Sequence, residues 1–311
     1  MQVFNAKSDF KITNSVVTIG TFDGLHIGHQ QILSALVNVA KSKNLKSVVV
    51  TFDPHPRAVV SKDYNMQLLA TLDEKVSMFE SFEIDNLLVI NFTLDFAKIS
   101  SDEFVKKILI DKLDAKHVVI GYDHKFGNNR DGDKSTLKEF GEKYGFDVTC
   151  MNEFQIDDQT LSSTVVRNLL LTGDLEKANH FLGRRYSFSG KVVEGTKRGR
   201  TIGFPTANVE LTDLQKLIPA NGVYIVTVNV EDEILYGIMN IGIRPTFESD
   251  NTKVIEVNIF DFNKNIYNKG IKVELIQRIR SEKKFNSKEE LINQIKSDKE
   301  FAQNLISKLI N

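Results

Sequence analysis

Short apolar runs alternate with longer amphipathic stretches along the first half of the chain. Four runs rich in valine and isoleucine are too short for helices and predict buried strands: SVVTIG (15–20), SVVVTF (47–52), NLLVINF (86–92) and HVVIGYD (117–123). Between them, residues 29–43 and 101–113 place their apolar side chains on one helical face. Such alternation predicts an α/β domain with a parallel sheet, in which ligands bind at the carboxyl ends of the strands.

After about residue 180, strand patterns follow one another without helical patterns between them. YSFSGKVVEG, ANGVYIVTVNVEDEILYGIMNIG, KVIEVNIFDF and IKVELIQRIR are joined by short polar or glycine-bearing turns, which predicts an antiparallel barrel or sandwich. A final helix is predicted over roughly 287–309, where Ser287 and Glu290 have capping-box spacing. The apolar residues expected to dock it are Leu291, Ile292, Ile295, Leu305 and Ile306. The predicted domains are 1–182 and 183–311.

Composition narrows the class of protein. A length of 311 residues fits two domains, and a formal net charge of −1 provides no overall field that would attract nucleic acid or an anionic membrane. The single cysteine, Cys150, excludes an internal disulfide and a cysteine-based zinc site. The N-terminus lacks a secretory apolar segment, and no apolar run approaches the ~20 residues that span a bilayer. We therefore expect a soluble cytoplasmic protein, whose oligomeric state the sequence leaves open.

The stretch TIGTFDGLHIGH carries the first candidate site. It places Gly20, Gly24 and Gly28 at a strand–helix turn, with His26 and His29 close to the helix N-terminus. At a helix N-terminus, free backbone N–H groups and the helix dipole favour anions, and glycines let the backbone come close to the anion. Imidazole N–H groups can stabilise the charge on a phosphate. The pattern suits a polyphosphate, although a glycine-rich turn with two surface or capping histidines has the same letters.

Three further segments follow predicted strands or open a predicted helix. TFDPHPR (51–57) encloses His55 between two prolines, and the glycine-bearing loop 121–133 collects Asp123, His124, Lys125 and Arg130. In LSSTVVR (161–167), the hydroxyls of Ser163 and Thr164 can cap a helix and bind an anion. Arg167 follows one turn inside the predicted helix, where it can reach a phosphate. Taken singly, the first segment indicates only a proline turn, the second fits a solvated loop as well as a site, and the third fits a helix cap better than a site.

A basic glycine loop carries the second candidate site. GKVVEGTKRGRTIGFPTANV (190–209) contains Lys197, Arg198 and Arg200 among three glycines, an arrangement able to fold over phosphates. Thr206 and Asn208 are two residues apart, so in an extended strand their neutral oxygens face the same side, which suits Mg²⁺ beside ATP phosphates. A solvated hairpin tip and ordinary turn chemistry are the alternatives.

Glu256 stands in the middle of a strongly apolar predicted strand. Alternation places it with Val254, Asn258 and Phe260 on the face opposite Ile255 and Val257. Because an unpaired buried carboxylate is costly, Glu256 either reaches solvent at a sheet edge or serves a site.

Taken together and in order, these segments resemble the bacterial bifunctional riboflavin kinase/FAD synthetase family. The first half carries GTFDGLHIGH, TFDPHP, GYDHKFG and SSTVVR, and the second carries GFPTAN, NGVYIV, GIMNIGIRPTF and the glutamate of VIEVNIFDF. The resemblance implies a Rossmann-like nucleotidylyltransferase domain followed by a small Greek-key flavokinase barrel. It implies ATP-dependent phosphorylation of riboflavin to FMN in the second domain and adenylylation of FMN to FAD, with release of pyrophosphate, in the first.

The resemblance also implies roles for particular residues. His26 and His29 hold ATP phosphates, Asp123 lies beside the nucleotide or flavin, and the turn that carries the histidines contributes Gly20, Asp23, Gly24 and Gly28. Ser163, Thr164 and Arg167 form a second phosphate clamp. One departure precedes it, since Thr160 stands where an arginine is often found, which puts the strength of phosphate binding in question.

In the second domain, the resemblance assigns ATP binding to the glycine loop and the segment after it, with Gly195, Lys197, Arg200, Gly203 and Pro205. Thr206 and Asn208 are expected at Mg²⁺, and Glu256 is expected to be the general base. A base assists the neutral ribityl hydroxyl of riboflavin, whereas the ionised phosphate of FMN needs none. The expected partners are riboflavin, FMN and ATP, without nucleic acid or membrane.

Three other functions are alternatives to this one. A class I aminoacyl-tRNA synthetase shares the HIGH letters, but the sequence has no KMSKS-like segment and no length for an anticodon-reading domain. A nucleotidylyltransferase for another small phosphate acceptor, with a regulatory flavin-binding barrel, leaves GFPTAN and Glu256 unexplained. A flavin-binding sensor without turnover conflicts with the intact His26, His29, Asn208 and Glu256.

Overall fold

The computed structural model of the chain describes residues 1–6, 10–61, 66–128, 131–156, 159–195, 199, 202–231, 233–243 and 253–310. They form two compact units, Met1–Ser163 and Thr164–Asn311. The predicted domain boundary after residue 182 falls two helices later along the chain, and it stays a prediction.

The first unit is built on a six-stranded parallel sheet with the strand order β1-β4-β3-β2-β5-β6. Its strands are β1 (Gln2–Asn5), β2 (Ser15–Ile19), β3 (Lys46–Asp53), β4 (Asn86–Asn91), β5 (Ala115–Ile120) and β6 (Asp147–Cys150). Its helices are α1 (Ile27–Lys43), α2 (Pro56–Val60), α3 (Leu72–Ser81), α4 (Ser101–Phe104, continued by a π-helical segment Val105–Lys112) and α5 (Lys134–Tyr144). A 3-10 turn at Phe96–Lys98 and a small antiparallel pair, β7 (Gln155–Ile156) with β8 (Gln159–Thr160), complete the unit.

The predicted parallel sheet is confirmed, and the sequence explains it directly. Both faces of the sheet are buried: Val16 and Val49 pack with α1 and α3 on one side, while Val17 and Val48 pack on the other. Strands covered on both faces are apolar at consecutive positions, which is why the runs read as continuous rather than alternating. From β2 the chain builds outward through β3 and β4, and β5 is then added on the opposite side of β2. Ligands in such sheets bind at the carboxyl ends of the strands beside this switch point, here β2 and β5.

The second unit is a closed antiparallel barrel with helices on its outside. The helices α6 (Ser163–Thr172) and α7 (Leu175–Leu182) precede β9 (Tyr186–Val193), β10 (Ala207–Leu211), β11 (Gly222–Val230), β12 (Glu233–Ile243), β13 (Lys253–Ile259) and β14 (Gly270–Arg280), and α8 (Lys288–Ile310) follows. Around the barrel the order is β10-β13-β12-β11-β14-β9. Strands β11 to β13 are sequential neighbours and β14 returns beside β11, which is the Greek-key connection. The barrel prediction is confirmed.

Helix α8 docks on the barrel largely as its apolar pattern predicts. Ile295, Leu305 and Ile306 pack with a cluster that includes Ile225 and Phe260. The other two residues predicted to dock, Leu291 and Ile292, are half-buried and lie outside this cluster. The Ser287 hydroxyl accepts from the N–H of Glu290 at 3.1 Å, as expected of an N-cap. No helix in the described ranges combines the length and the apolar character that crossing a membrane requires.

A buried ion pair also fixes α8 to the barrel, and its loss should be costly. The Arg280 guanidinium donates through Nε and Nη2 to the carboxylate of Asp298 at 2.8–3.1 Å, and the Asp298 side chain is only 4% exposed. Asp298→Ala should destabilise the helix dock by about 3 kcal/mol, since the arginine loses its buried partner. Hydrogen exchange of residues 288–310 measures this, and Glu233→Gln, which removes an exposed pair with Lys264, is the matched control. Unchanged protection of α8 in Asp298→Ala would contradict this account of the dock.

Candidate functional sites

The turn between β2 and α1 lies at the switch point of the sheet. The N–H of Gly20 donates to the carbonyl of Val50, so the turn leaves directly from the end of β2. Phe22, Gly24 and Leu25 all have positive φ. Two features require glycine at position 24: its φ is +80°, and a Cβ there would lie 2.9 Å from side-chain atoms of Leu69. The sequence thus builds a tight turn that ends at the helix N-terminus.

His26 and His29 meet at the start of α1. His26 is the N-cap residue, and its Nδ1 accepts from the backbone N–H of His29 at 3.3 Å. The two imidazoles stack with their centroids 3.7 Å apart. Because Nδ1 of His26 accepts, the proton of its neutral ring is on Nε2, which makes Nε2 a donor. A Cβ at Gly28 would lie 3.2 Å from His26 Nδ1, so glycine permits this close packing. One helix terminus therefore carries backbone N–H groups and an imidazole donor suited to a polyphosphate.

Asp23 has a structural task within this turn. It is buried, and its Oδ1 accepts from the N–H groups of Leu69 and Ala70 at 2.9 and 3.1 Å. Its carbonyl accepts from the Ser163 hydroxyl at 2.8 Å. Asp23 thereby fastens the turn to the segment before α3 and to the first residue of α6. Its predicted contact with the nucleotide stays a prediction.

Lys75 is a residue that the sequence analysis did not identify. It lies on α3, is 6% exposed, and donates from Nζ to the carbonyl of Thr21 at 3.2 Å. Burial lowers its pKa, while the nearby carboxylates of Asp23 and Asp53 act in the opposite direction. No motif marks it, because a lysine on an amphipathic helix is ordinarily solvated. Its burial appears only when the fold is known.

The loop after β5 lies beside the same turn. A Cβ at Gly121 would lie 3.6 Å from Oδ1 of Asp123, which is exposed, and the rings of His124 and Phe126 stack at 5.6 Å. Asp133 caps α5, and hydrogen bonds from Ser135 and Thr136 hold the pKa of its carboxyl far below the usual range. Lys125 Nζ lies 3.5 Å from Asp133, and Arg130 falls outside the described residues.

A row of aromatic rings follows the carboxyl edge of the sheet toward this loop. Ring centroids of successive members lie 5.6–6.2 Å apart from the end of β4 to the loop after β5: Phe92, Phe96, Phe104, Phe126 and His124. Phe52, at the end of β3, contacts Phe92 and Phe96. Phe104 and Phe126 are buried in the core of the unit, whereas Phe92, Phe96 and His124 are half-buried.

The predicted second phosphate clamp begins where the two units divide. Ser163, the first residue of α6, is also the last residue of the first unit, and its hydroxyl donates to the Asp23 carbonyl. Thr164 is exposed and Arg167 is buried, and both belong to the second unit. Their approach to a bound phosphate stays a prediction.

Thr160 has a carboxylate as its partner. Its hydroxyl donates to Glu153 at 2.9 Å, and Gln155 Nε2 donates to the same carboxylate at 3.0 Å. These bonds, from Gln155 first and then Thr160, lower the pKa of Glu153, so this carboxyl is ionised at neutral pH. The position at which the resemblance expects a basic side chain therefore faces a negative one.

In the barrel, the strand register aligns the predicted catalytic residues. Glu256 on β13 is paired with Asn208 on β10 on one side and with Asn240 on β12 on the other. Directly paired residues share one face of a sheet, so the three form a polar row across three strands. Their neighbours Ile255 and Val257 are buried on the inner face, which places Glu256 on the outer face as alternation predicts. Asn240 was not anticipated from the sequence.

Glycines bring the loop before β10 onto the polar row. A Cβ at Gly195 would lie 2.1 Å from Nδ2 of Asn208, and one at Gly199 would lie 3.2 Å from Oγ1 of Thr206. Gly203 has a φ of +86°. The carbonyl of Pro205 accepts from Nδ2 of Asn258 at 2.7 Å, which ties GFPTAN to β13. The predicted phosphate ligands Lys197 and Arg200, together with Arg198, lie outside the described residues.

Comparisons with known proteins decide the family. A family model described as FAD synthetase matches residues 9–165, and one described as riboflavin kinase matches residues 182–306. The chain is 40% identical over 280 residues to the bifunctional riboflavin kinase/FMN adenylyltransferase of Buchnera aphidicola subsp. Schizaphis graminum, covering 89% of each chain. The chain belongs to this family.

Other relatives agree with this membership. The Bacillus subtilis bifunctional riboflavin kinase/FMN adenylyltransferase is 39% identical over 276 residues, which cover 88% of this chain and 86% of the relative. A crystal structure from Streptococcus pneumoniae, described as a macrolide-efflux protein, superposes with a TM-score of 0.90 at 30% identity and covers 98% of this chain and 99% of its own. That description concerns the pneumococcal protein, whereas both family models and the curated relatives name the riboflavin kinase/FMN adenylyltransferase activities. The resemblance drawn from the motifs is confirmed.

Proposed function

We propose that this chain phosphorylates riboflavin to FMN at its barrel and then adenylylates FMN to FAD at its parallel-sheet unit. The observation that carries the proposal is the presence, in one chain and in family order, of two sites with different equipment. One is a helix N-terminus with stacked histidines, and the other is a carboxylate flanked by two asparagines.

The barrel site suits attack by an alcohol. Glu256 accepts the proton of the ribityl 5′-hydroxyl while that oxygen attacks the γ-phosphorus of ATP, and ADP leaves. The residue pairing supports this role, because it places Glu256 between the neutral amides of Asn208 and Asn240 on one face of the sheet.

The residues beside Glu256 also fit Mg²⁺. Thr206 and Asn208 are neutral oxygen donors next to the glycine loop, a donor set that suits Mg²⁺ bridged to phosphates. The bound ion would neutralise charge on the transferring phosphoryl group. Thr206 and Asn208 would hold it, and the loop glycines would let the backbone approach.

The parallel-sheet site suits attack by a phosphate. FMN presents an ionised oxygen that attacks the α-phosphorus of ATP and expels pyrophosphate, so the protein supplies alignment and charge stabilisation without a base. His26 Nε2 and the N–H groups that open α1 would contact the polyphosphate. The half-buried rings of the aromatic row, those of Phe92, Phe96 and His124, would contact the flavin ring. We place the enzyme in the cytoplasm, as expected from the sequence.

A product assay tests this function. The purified full chain is incubated with riboflavin, ATP and Mg²⁺, and flavins are separated by chromatography over time. FMN should appear first and FAD afterwards. If neither product forms, the proposed function is wrong, and if only FAD forms from supplied FMN, the barrel is regulatory. Amino-acid-dependent pyrophosphate exchange would instead favour the synthetase alternative.

The partner of Thr160 gives a prediction specific to this chain. An arginine at position 160 should pair with Glu153 and change little, since exposed ion pairs contribute ~0.2–1 kcal/mol. With the carboxylate also neutralised, in Glu153→Gln/Thr160→Arg, the guanidinium is released toward phosphate, and the KM of adenylylation should fall about fivefold, corresponding to about 1 kcal/mol. Steady-state FAD formation measures both variants. Equal gains in the single and double variants would show that Glu153 does not restrain this position.

A further inference from the structure

The lysine buried beneath the β2–α1 turn is not explained by its own helix. The first turn of α3 is already complete without it, because Thr71 and Glu74 form a reciprocal capping box. A buried lysine loses hydration and is tolerated only where its charge is compensated. The Lys75 ammonium donates to a carbonyl of the turn and interacts electrostatically with two carboxylates, and it is shielded from solvent.

The carbonyl that Lys75 contacts belongs to the strained part of the turn. Thr21 O accepts from Lys75 Nζ at 3.2 Å and from Thr51 Oγ1 at 3.3 Å, which links α3 and β3 to the residue before Phe22. Phe22 and Leu25 hold positive φ values without being glycine, a conformation that persists only when surrounding contacts impose it. This turn ends at His26, the N-cap residue of α1. A displacement of the backbone at Thr21 would therefore also displace the His26 imidazole.

The charges near Lys75 would oppose a polyphosphate. Asp23 lies in the turn itself and Asp53 at the carboxyl end of β3, and both interact with the Lys75 ammonium. These carboxylates therefore stand at the edge where the proposed function places ATP. Uncompensated negative charge there would repel the triphosphate, more strongly from the buried Asp23 than from the exposed Asp53.

We propose that Lys75 is a positioning residue for adenylyl transfer, which fixes the β2–α1 turn through Thr21 and neutralises Asp23 and Asp53 beneath the triphosphate. This inference rests on the proposed function of the parallel-sheet site. It assigns no contact between Lys75 and substrate, since the side chain is buried behind the turn.

The proposal predicts a pattern across four variants of the full chain. Lys75→Met should lower kcat/KM for FAD formation from FMN by about 10- to 100-fold, the scale expected when reacting groups are misplaced. Lys75→Arg keeps the charge and should stay within about threefold of wild type. Lys75→Met/Asp53→Asn should recover about fivefold over Lys75→Met, because one repelling carboxylate is gone. Lys41→Met removes an exposed lysine paired with Glu83 on the same unit and should change nothing.

Riboflavin phosphorylation and the unfolding temperature are recorded for every variant, so that a folding defect is recognised. A purely structural lysine would lose activity in parallel with stability and would not be rescued by Asp53→Asn. The proposal is overturned if Lys75→Met keeps adenylylation within twofold of wild type, or if Asp53→Asn restores none of the loss. Failure of the proposed function would show differently, since the wild-type chain itself would form no FAD.

Discussion

Glu256→Gln should lower the rate of FMN formation from riboflavin by about 10²- to 10⁴-fold, which is the usual contribution of a positioned general base. The amide keeps the size and register of the side chain between Asn208 and Asn240 but cannot accept the proton of the ribityl hydroxyl. Adenylylation of supplied FMN should be unchanged, because its nucleophile is already ionised. Chromatographic assays with riboflavin and with FMN measure the two half-reactions separately.

A matched control comes from the same barrel. Glu210 is an exposed carboxylate on β10, paired with Lys191, and Glu210→Gln should leave both half-reactions within about twofold of wild type, as expected of a surface substitution. Equal loss of both activities in Glu256→Gln would break the two-site account. Retention of FMN formation would remove Glu256 from the base role.

His26→Asn should produce the opposite pattern. Asparagine is a good N-cap, so its side chain still accepts from the N–H of His29 and α1 keeps its start. The imidazole Nε2 donor and the stack with His29 are lost, and FAD formation should fall by about 10²- to 10³-fold, the scale of a lost oxyanion donor. Riboflavin phosphorylation should be unaffected.

His26→Ala separates the capping role of this residue from its chemical role. Alanine removes the cap as well, at a cost of about 1 kcal/mol in stability, and should add no further catalytic loss beyond His26→Asn. Assays of FAD formation and thermal unfolding of the two variants give the comparison. If His26→Asn keeps wild-type adenylylation, the histidine serves the helix alone.

Much of the fold follows from the sequence because burial pattern and element type are closely linked here. The four runs predicted as strands coincide with β2 to β5, since strands buried on both faces are apolar at most consecutive positions. The edge strands β1 and β6 were not predicted. They are four residues long and largely exposed or half-buried, so their sequences carry no apolar run.

The candidate sites divide in the same way. His26, Asn208 and Glu256 were found because motifs fix residue type and spacing along one segment, and the structure adds that Asn208 and Glu256 are direct cross-strand partners. Lys75 and Asn240 could not be predicted from the sequence. Tertiary packing brings Lys75 to its site and strand register brings Asn240 to its site, and local sequence patterns encode neither. The task of Asp23 in fastening residues 69 and 70 was hidden for the same reason.

The two proposed sites would transfer different phosphorus atoms of ATP to successive flavins. Labelled ATP tests it most directly: the wild-type chain is supplied with riboflavin and either γ-³²P- or α-³²P-ATP, and FMN and FAD are separated and counted. We predict γ label in both FMN and FAD, and α label in FAD alone. Label from the α position in FMN, or FAD that lacks it, would contradict the assignment of phosphoryl transfer to the barrel and adenylyl transfer to the parallel-sheet unit.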